Sequence, residues 1–237
     1  MSVARRVRAS DRPRLVRARG RLVDCGVAPL ARTLAVFASG QGSNFEALAR
    51  AAGRGGLPGR IVALLCDRPD APAIARARRL GIEAVCPPTG RLRTRLEDER
   101  PWLEALRARG VEVVLLAGFM RRLHATLLEA YPERILNIHP SLLPAFPGLD
   151  AIAQAWAQGC RVTGCTVHLV TSDLDAGPIV AQTAVRVRDE DTLERLSRRV
   201  HAAEHRLYPE AVRRFLAEPW RREGSRLVFG ARGAGHA

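Results

Sequence analysis

The chain has 237 residues, 47% of them hydrophobic, and a formal net charge of +14. That length suits one ordinary domain with a sizeable core, and no apolar run reaches the roughly 18 residues that a membrane helix needs. Five cysteines, odd in number and without a CxxC pair, exclude a disulfide framework and a zinc pattern, and fit reduced thiols in a cytoplasmic protein.

The charge is unevenly spread. Residues 1–32 hold nine arginines against two aspartates, half of the whole excess, and no lysine occurs anywhere. We read 1–32 as a basic, disordered extension, with a transit peptide as the alternative. Residues 33–218 form the folded domain, and 219–237 read as a basic tail. Charge concentrated in an arm does not call for a nucleic-acid partner, and nothing calls for a membrane.

In chain order, LAVFAS (34–39) reads as a buried strand, followed by a glycine turn and a helix from Asn44 to about Ala52. RIVALLCD (60–67) is a second strand. A helix over 72–80 stops at Gly81, and IEAVC (82–86) is a short strand. An amphipathic helix is predicted over 95–109, with Leu96, Trp102, Leu103 and Leu106 on its apolar face. VEVVLLAG is the next strand, then come a helix near 124–130 and the strand RILNIHP. A helix near 150–158 precedes two strands, 162–170 and 178–188. One long helix is predicted from Asp191 to Leu216, kinked at Pro209. Strands alternating with helices predict an α/β fold, a doubly wound and mostly parallel sheet with helices on both faces. Ligands of such sheets gather beyond the carboxyl ends of the strands.

Three stretches carry chemistry. Ser39-Gly40-Gln41-Gly42-Ser43-Asn44 joins a strand to a helix, where glycines allow close approach and first-turn N–H groups favour an anion. It lacks the third glycine of a dinucleotide fingerprint and the lysine of a Walker loop, and a plain capped turn is the bland alternative. Asn137 and His139 are i and i+2 on a strand, so they project to one side. An amide donor beside an imidazole suits a tetrahedral oxyanion, although an isolated Asn-x-His also occurs as a satisfied strand-end pair. The turn Thr171-Ser172-Asp173-Leu174-Asp175-Ala176-Gly177-Pro178 offers a carboxylate that would orient His139 and order a proton-relaying water. His124, His139 and His168 lack metal-ligand spacing, so no metal is expected.

GQGSN, LAGFMRRL, NIHPSLLPAFPG, GCTVHLVTSDLDAGPIVAQ and HAAEHRLYP, in this order between about Thr33 and Phe215, resemble the folate-dependent glycinamide ribonucleotide formyltransferase family of purine synthesis. The resemblance implies that family's variant of the Rossmann arrangement, with 10-formyltetrahydrofolate as co-substrate and glycinamide ribonucleotide as acceptor. It implies Asn137, His139 and Asp175 as catalytic residues. Gly42, Ser43 and Asn44 would hold the substrate phosphate, and Glu204 with His201 would contact the ribonucleotide. Arg95, Met120, Arg121, Leu123, Thr171 and Ser172 would form the folate pocket. Asp150 and Ile152 stand where relatives often carry histidines, and His201 where glutamine is common. A homodimer is left open. The alternatives are a 10-formyltetrahydrofolate deformylase, which adds a regulatory domain ahead of the catalytic one, and, from another class, a basic RNA-binding protein. The latter would carry aromatic residues flanked by basic ones on its strands, and that pattern is missing.

Overall fold

The computed structural model describes residues 32–230. The extension expected over 1–32 lies outside the described residues except for Arg32, which opens the first strand. The elements are β1 (Arg32–Ala38), α1 (Ser43–Gly53), β2 (Gly59–Cys66), α2 (Pro72–Arg79), β3 (Glu83–Val85), α3 (Arg100–Arg107), β4 (Val113–Leu116) and α4 (Ala125–Ala130). They continue with β5 (Ile135–His139), α5 (Ala151–Ala157), β6 (Val162–Leu169), β7 (Ile179–Arg186), α6 (Leu193–Ala217), β8 (Trp220–Glu223) and β9 (Arg226–Phe229).

Among the described residues there is one sheet, ordered β3-β2-β1-β4-β5-β6-β7-β9-β8. From β3 to β5 every pairing is parallel, whereas β6 runs antiparallel to β5 and β7 antiparallel to β6. The predicted doubly wound sheet is therefore observed, all parallel from β3 to β5 and mixed beyond, where β7 pairs β9 in parallel. Because β1 lies between β2 and β4, the winding direction reverses there, and the loops leaving β1 and β4 splay apart into a crevice.

Alternation along β1 separates the two cores. Leu34, Val36 and Ala38 face α1 and α6, whereas Ala35 and Phe37 face α3 and α4. On the second face Phe37, Trp102 and Phe119 form an aromatic triangle with centroids 5.0–5.3 Å apart. Each such pair adds about 0.5–1.5 kcal/mol beyond area burial. On the first face Tyr208, fully buried on α6, points its hydroxyl at the carbonyls of Leu116 (2.9 Å) and Leu136 (3.1 Å). One side chain thereby fixes α6 against the ends of β4 and β5.

Three expectations are corrected. The helix predicted over 95–109 begins only at Arg100, because Pro101 has no N–H to give a preceding turn and fits only the first turn of a helix; Leu96 is buried but lies ahead of it. The stretch read as a tail after 219 contains the hairpin β8–β9. It is anchored by Trp220 stacked on Phe215 (4.9 Å) and by the Arg214 guanidinium over the Phe229 ring (4.0 Å). The long helix begins at Leu193 rather than Asp191, because the Thr192 side chain accepts the Arg195 N–H and caps it; Pro209 lies inside the helix and leaves the His205 carbonyl without a helical donor. No helix among the described residues is long and apolar enough to cross a membrane.

Candidate active site

A cavity of about 960 Å³ occupies the crevice between the β1 and β4 loops and extends over β5. Its first wall is the turn after β1. Gly42 takes φ 71°, and a Cβ there would stand 2.7 Å from that of Ala73, so both conformation and space demand glycine. The first helical hydrogen bond of α1 runs from the Glu46 N–H to the Gly42 carbonyl (2.9 Å). The N–H groups of Ser43, Asn44 and Phe45 precede it and can meet an anion.

Gly42 is the cap residue, and no side chain caps α1. The Asn44 amide turns instead to α6, where it donates to Glu204 Oε2 (3.0 Å), and His201 Nδ1 reaches the same oxygen at 2.9 Å. The hydrogen bond to Glu204 outweighs desolvation and raises the His201 pKa above the usual histidine value. An imidazole whose protonated form a buried carboxylate favours thus stands beside the anion turn. Asn44 Oδ1 is buried and has no hydrogen-bond partner among the described residues.

The second wall is the segment after β4. Its Gly118 carbonyl accepts from the Ser39 N–H (3.1 Å), and the Ser39 hydroxyl accepts from the Met120 N–H (2.9 Å), so the two walls are tied together. Met120, Arg121, Leu123, Thr171 and Ser172 all line the cavity, and Arg95 does not. Arg95 is bridged backbone-to-backbone with the lining residue Arg122, and Arg93 takes the lining position. The Arg121 guanidinium is engaged with Asp67 Oδ2 (2.7 Å) and with the carbonyls of Leu92 and Arg95. It bolts three segments together rather than reaching inward. Three large apolar side chains, Met120, Leu149 and Leu174, are exposed and line the cavity from three different loops. Sequence patterning did not find the two leucines, because single leucines in polar loops carry no periodicity.

The floor carries the polar cluster. Asn137 and His139 share one face of β5, and the antiparallel register sets His168 opposite Asn137 and Thr166 opposite His139. Because β6 runs backwards relative to β5, its end lies beside the start of β5, with Leu169 opposite Leu136. The turn after β6 must fold back along the sheet for Asp175 to reach His139. Gly177 makes this fold-back feasible, since a Cβ there would stand 1.8 Å from the Leu169 carbonyl oxygen. Asp175 itself adopts φ 50°, a left-handed conformation that a short polar side chain tolerates.

Asp175 Oδ2 lies 3.4 Å from His139 Nδ1 and accepts from the Gly148 N–H at 2.8 Å, while Oδ1 lies 3.6 Å from His168 Nε2. Burial pushes the Asp175 carboxyl up. The facing His168 ring, the Gly148 N–H and the His139 imidazole outweigh it and hold the group below the usual aspartate value. His139 Nε2 donates to the Phe146 carbonyl (2.8 Å), so both ring nitrogens face acceptors. His168, nearly fully buried, donates from Nδ1 to the Leu169 carbonyl (2.9 Å), and its Nε2 meets the Asn137 amide nitrogen at 3.2 Å. With His168 neutral, Nε2 accepts one N–H of Asn137 and leaves the other for the cavity. Sequence reasoning missed this role, because a single histidine in an apolar strand reads as core. Thr166 fixes the loop beyond β5: its hydroxyl donates to the Ser141 carbonyl (2.7 Å) and accepts from the Leu143 N–H (3.1 Å).

An amide N–H, an imidazole and an ionised carboxylate therefore converge at one end of a cavity, with an anion turn and an exposed apolar wall also lining it. No group of three or more histidine, cysteine or acidic side chains that could hold a metal occurs among the described residues.

Residues 32–212 match the family described as formyl transferase. A Bacillus subtilis protein named phosphoribosylglycinamide formyltransferase is 43% identical over 185 residues, 78% of this chain and 95% of that one. The crystal structure of glycinamide ribonucleotide transformylase 1 from Symbiobacterium toebii superposes with a TM-score of 0.80 at 45% identity, covering 84% of this chain and 94% of that one. The transformylase 1 structure from Geobacillus kaustophilus gives 0.75 at 46%, covering 78% and 99%. Matched over most of its length, and spanning such relatives almost end to end, the chain belongs to the formyl transferase family.

Proposed function

We propose that the chain transfers the formyl group of 10-formyltetrahydrofolate to the amine of glycinamide ribonucleotide, giving formylglycinamide ribonucleotide and tetrahydrofolate in de novo purine biosynthesis. The observation that carries this is the convergence of Asn137, His139 and Asp175 in the same cavity as the Gly42–Asn44 turn. Such a site accepts a phosphorylated amine from one side and a flat, partly apolar formyl donor from the other.

The glycinamide nitrogen attacks the formyl carbon directly. The carbonyl oxygen becomes an oxyanion, stabilised by the free N–H of Asn137 and by His139. Asp175 holds His139 in place and orders a water that takes the proton lost by the amine. That proton ends on N10 of the folate as the C–N10 bond breaks and the formamide forms. His139 Nε2 donates to the Phe146 carbonyl, so the 140–150 loop must release this hydrogen when the formyl oxygen takes the carbonyl's place.

The ribonucleotide phosphate sits on the Gly42–Asn44 turn beside His201, whose protonated form Glu204 favours, and Glu204 contacts the remainder. Met120, Arg121, Leu123, Thr171 and Ser172 line the folate side, and Arg93 replaces Arg95 as the arginine on that wall. Two small molecules in the cytoplasm suffice as substrates; neither nucleic acid, membrane nor metal takes part.

The test is an assay of purified protein with 10-formyltetrahydrofolate, with and without glycinamide ribonucleotide. Tetrahydrofolate that forms only when the ribonucleotide is present is the expected result. Equal release without it would make water the acceptor and the chain a deformylase.

A further inference from the structure

A second cavity, of about 740 Å³, shares no lining residue with the first. At about 100° per residue, Arg199, Ala202 and Arg206 lie on the opposite face of α6 from His201 and Glu204. Five of its eleven lining residues are arginine (Arg161, Arg186, Arg188, Arg199 and Arg206), against 38 basic residues in the 237 of the chain. The concentration exceeds what composition alone gives.

The cluster is built rather than merely exposed. Val185 and Val187 are buried in the core, so the alternation along β7 turns Arg186 and Arg188 outward together. Asp191 clamps Arg199 with both carboxylate oxygens and also accepts the Arg188 N–H (2.8 Å). Arg199 in turn donates to the Arg186 carbonyl (2.9 Å). The backbone carrying these arginines is therefore fixed before any ligand arrives. Arg161 engages Asp189 across an exposed pair, whereas no salt bridge of Arg186, Arg188 or Arg206 is formed among the described residues. Three unneutralised guanidinium groups around one groove repel each other and focus a positive field into it, and their planar forks match phosphate oxygens in pairs.

We propose that this groove is a second anion site, built for a compact anion carrying two or more phosphate groups and separate from the substrate cavity. An extended nucleic-acid strand fits less well. Among the described residues no aromatic side chain lines the groove to stack a base, and Asp189 and Glu190 stand in its wall.

The experiment is isothermal titration of the full chain with inorganic triphosphate at fixed ionic strength, repeated on the variant R186S/R188S/R206S. These side chains are exposed and form no salt bridge among the described residues, so the variant keeps its fold, checked by its melting curve and an unchanged formyl-transfer rate. One binding event that weakens at least tenfold in the variant is expected. The proposal is overturned if triphosphate does not bind, if it binds the variant equally well (which places it at the α1 turn), or if a short RNA displaces it with a steep salt dependence.

Discussion

The two polar regions of the substrate cavity are made of different material. The phosphate side is largely backbone: N–H groups of the first turn of α1, with Gly42 wedged against Ala73, and only His201 and Glu204 adding side-chain charge. The reaction side is almost entirely side chain, with Asn137, His139, His168 and Asp175 held on antiparallel strands and a fold-back turn. A backbone site depends on the conformation its glycine allows and cannot adjust its charge. A side-chain site can tune protonation, yet each member depends on its neighbours. The first should govern affinity for the ribonucleotide, and the second should govern turnover.

Substitutions can break that division. Asn137→Ala removes an oxyanion donor and should lower kcat by on the order of a hundredfold or more, with KM for the ribonucleotide nearly unchanged. Steady-state kinetics with both substrates varied checks this, and near-full turnover would remove Asn137 from the oxyanion site. Glu204→Gln keeps the shape but releases His201 from its carboxylate. KM for the ribonucleotide should rise by about tenfold, the value of roughly 1.4 kcal/mol of lost charge-assisted contact, while kcat falls little.

The comparison sharpens with pH. His201 has a raised pKa, so its help to phosphate binding is complete below the ordinary histidine value near 6.5 and is lost as pH climbs through the raised one. KM should increase over that window, and Glu204→Gln should move the increase to lower pH. The smallest effect concerns stability. The Asp175 pKa is lowered, so its stabilising contribution is present above the ordinary aspartate value near 3.9 and fades as pH falls through the lowered one. Asp175→Asn, which also tolerates positive φ, should flatten that part of the acid-unfolding profile measured by thermal melts.

Most strands were legible because buried runs such as Leu34–Ala38 and Val113–Leu116 have no other comfortable place. The direction of β6 was not. A strand, a helix over Ala151–Ala157 and another strand read as a parallel crossover, and only long-range pairing decides that the chain returns antiparallel. The same blindness hid His168, whose partner Asn137 is adjacent only through that register. The hairpin at Trp220–Phe229 escaped because its strands are short and arginine-rich, and its anchors, Phe215 and Arg214, belong to another element. Within the site, Asn137 and His139 were readable from local alternation. Arg95 was misplaced relative to the cavity, because no local rule distinguishes it from Arg93.

The turn that brings Asp175 home is closed at its base by the Leu169 N–H bonding to the Pro178 carbonyl (2.9 Å), with Gly177 crossing over the Leu169 oxygen. Segment length is thereby as constrained as spelling. A single-residue insertion or deletion between those two anchors would rotate the carboxylate off its imidazole even with every named amino acid retained. Libraries that vary loop size should find this stretch intolerant.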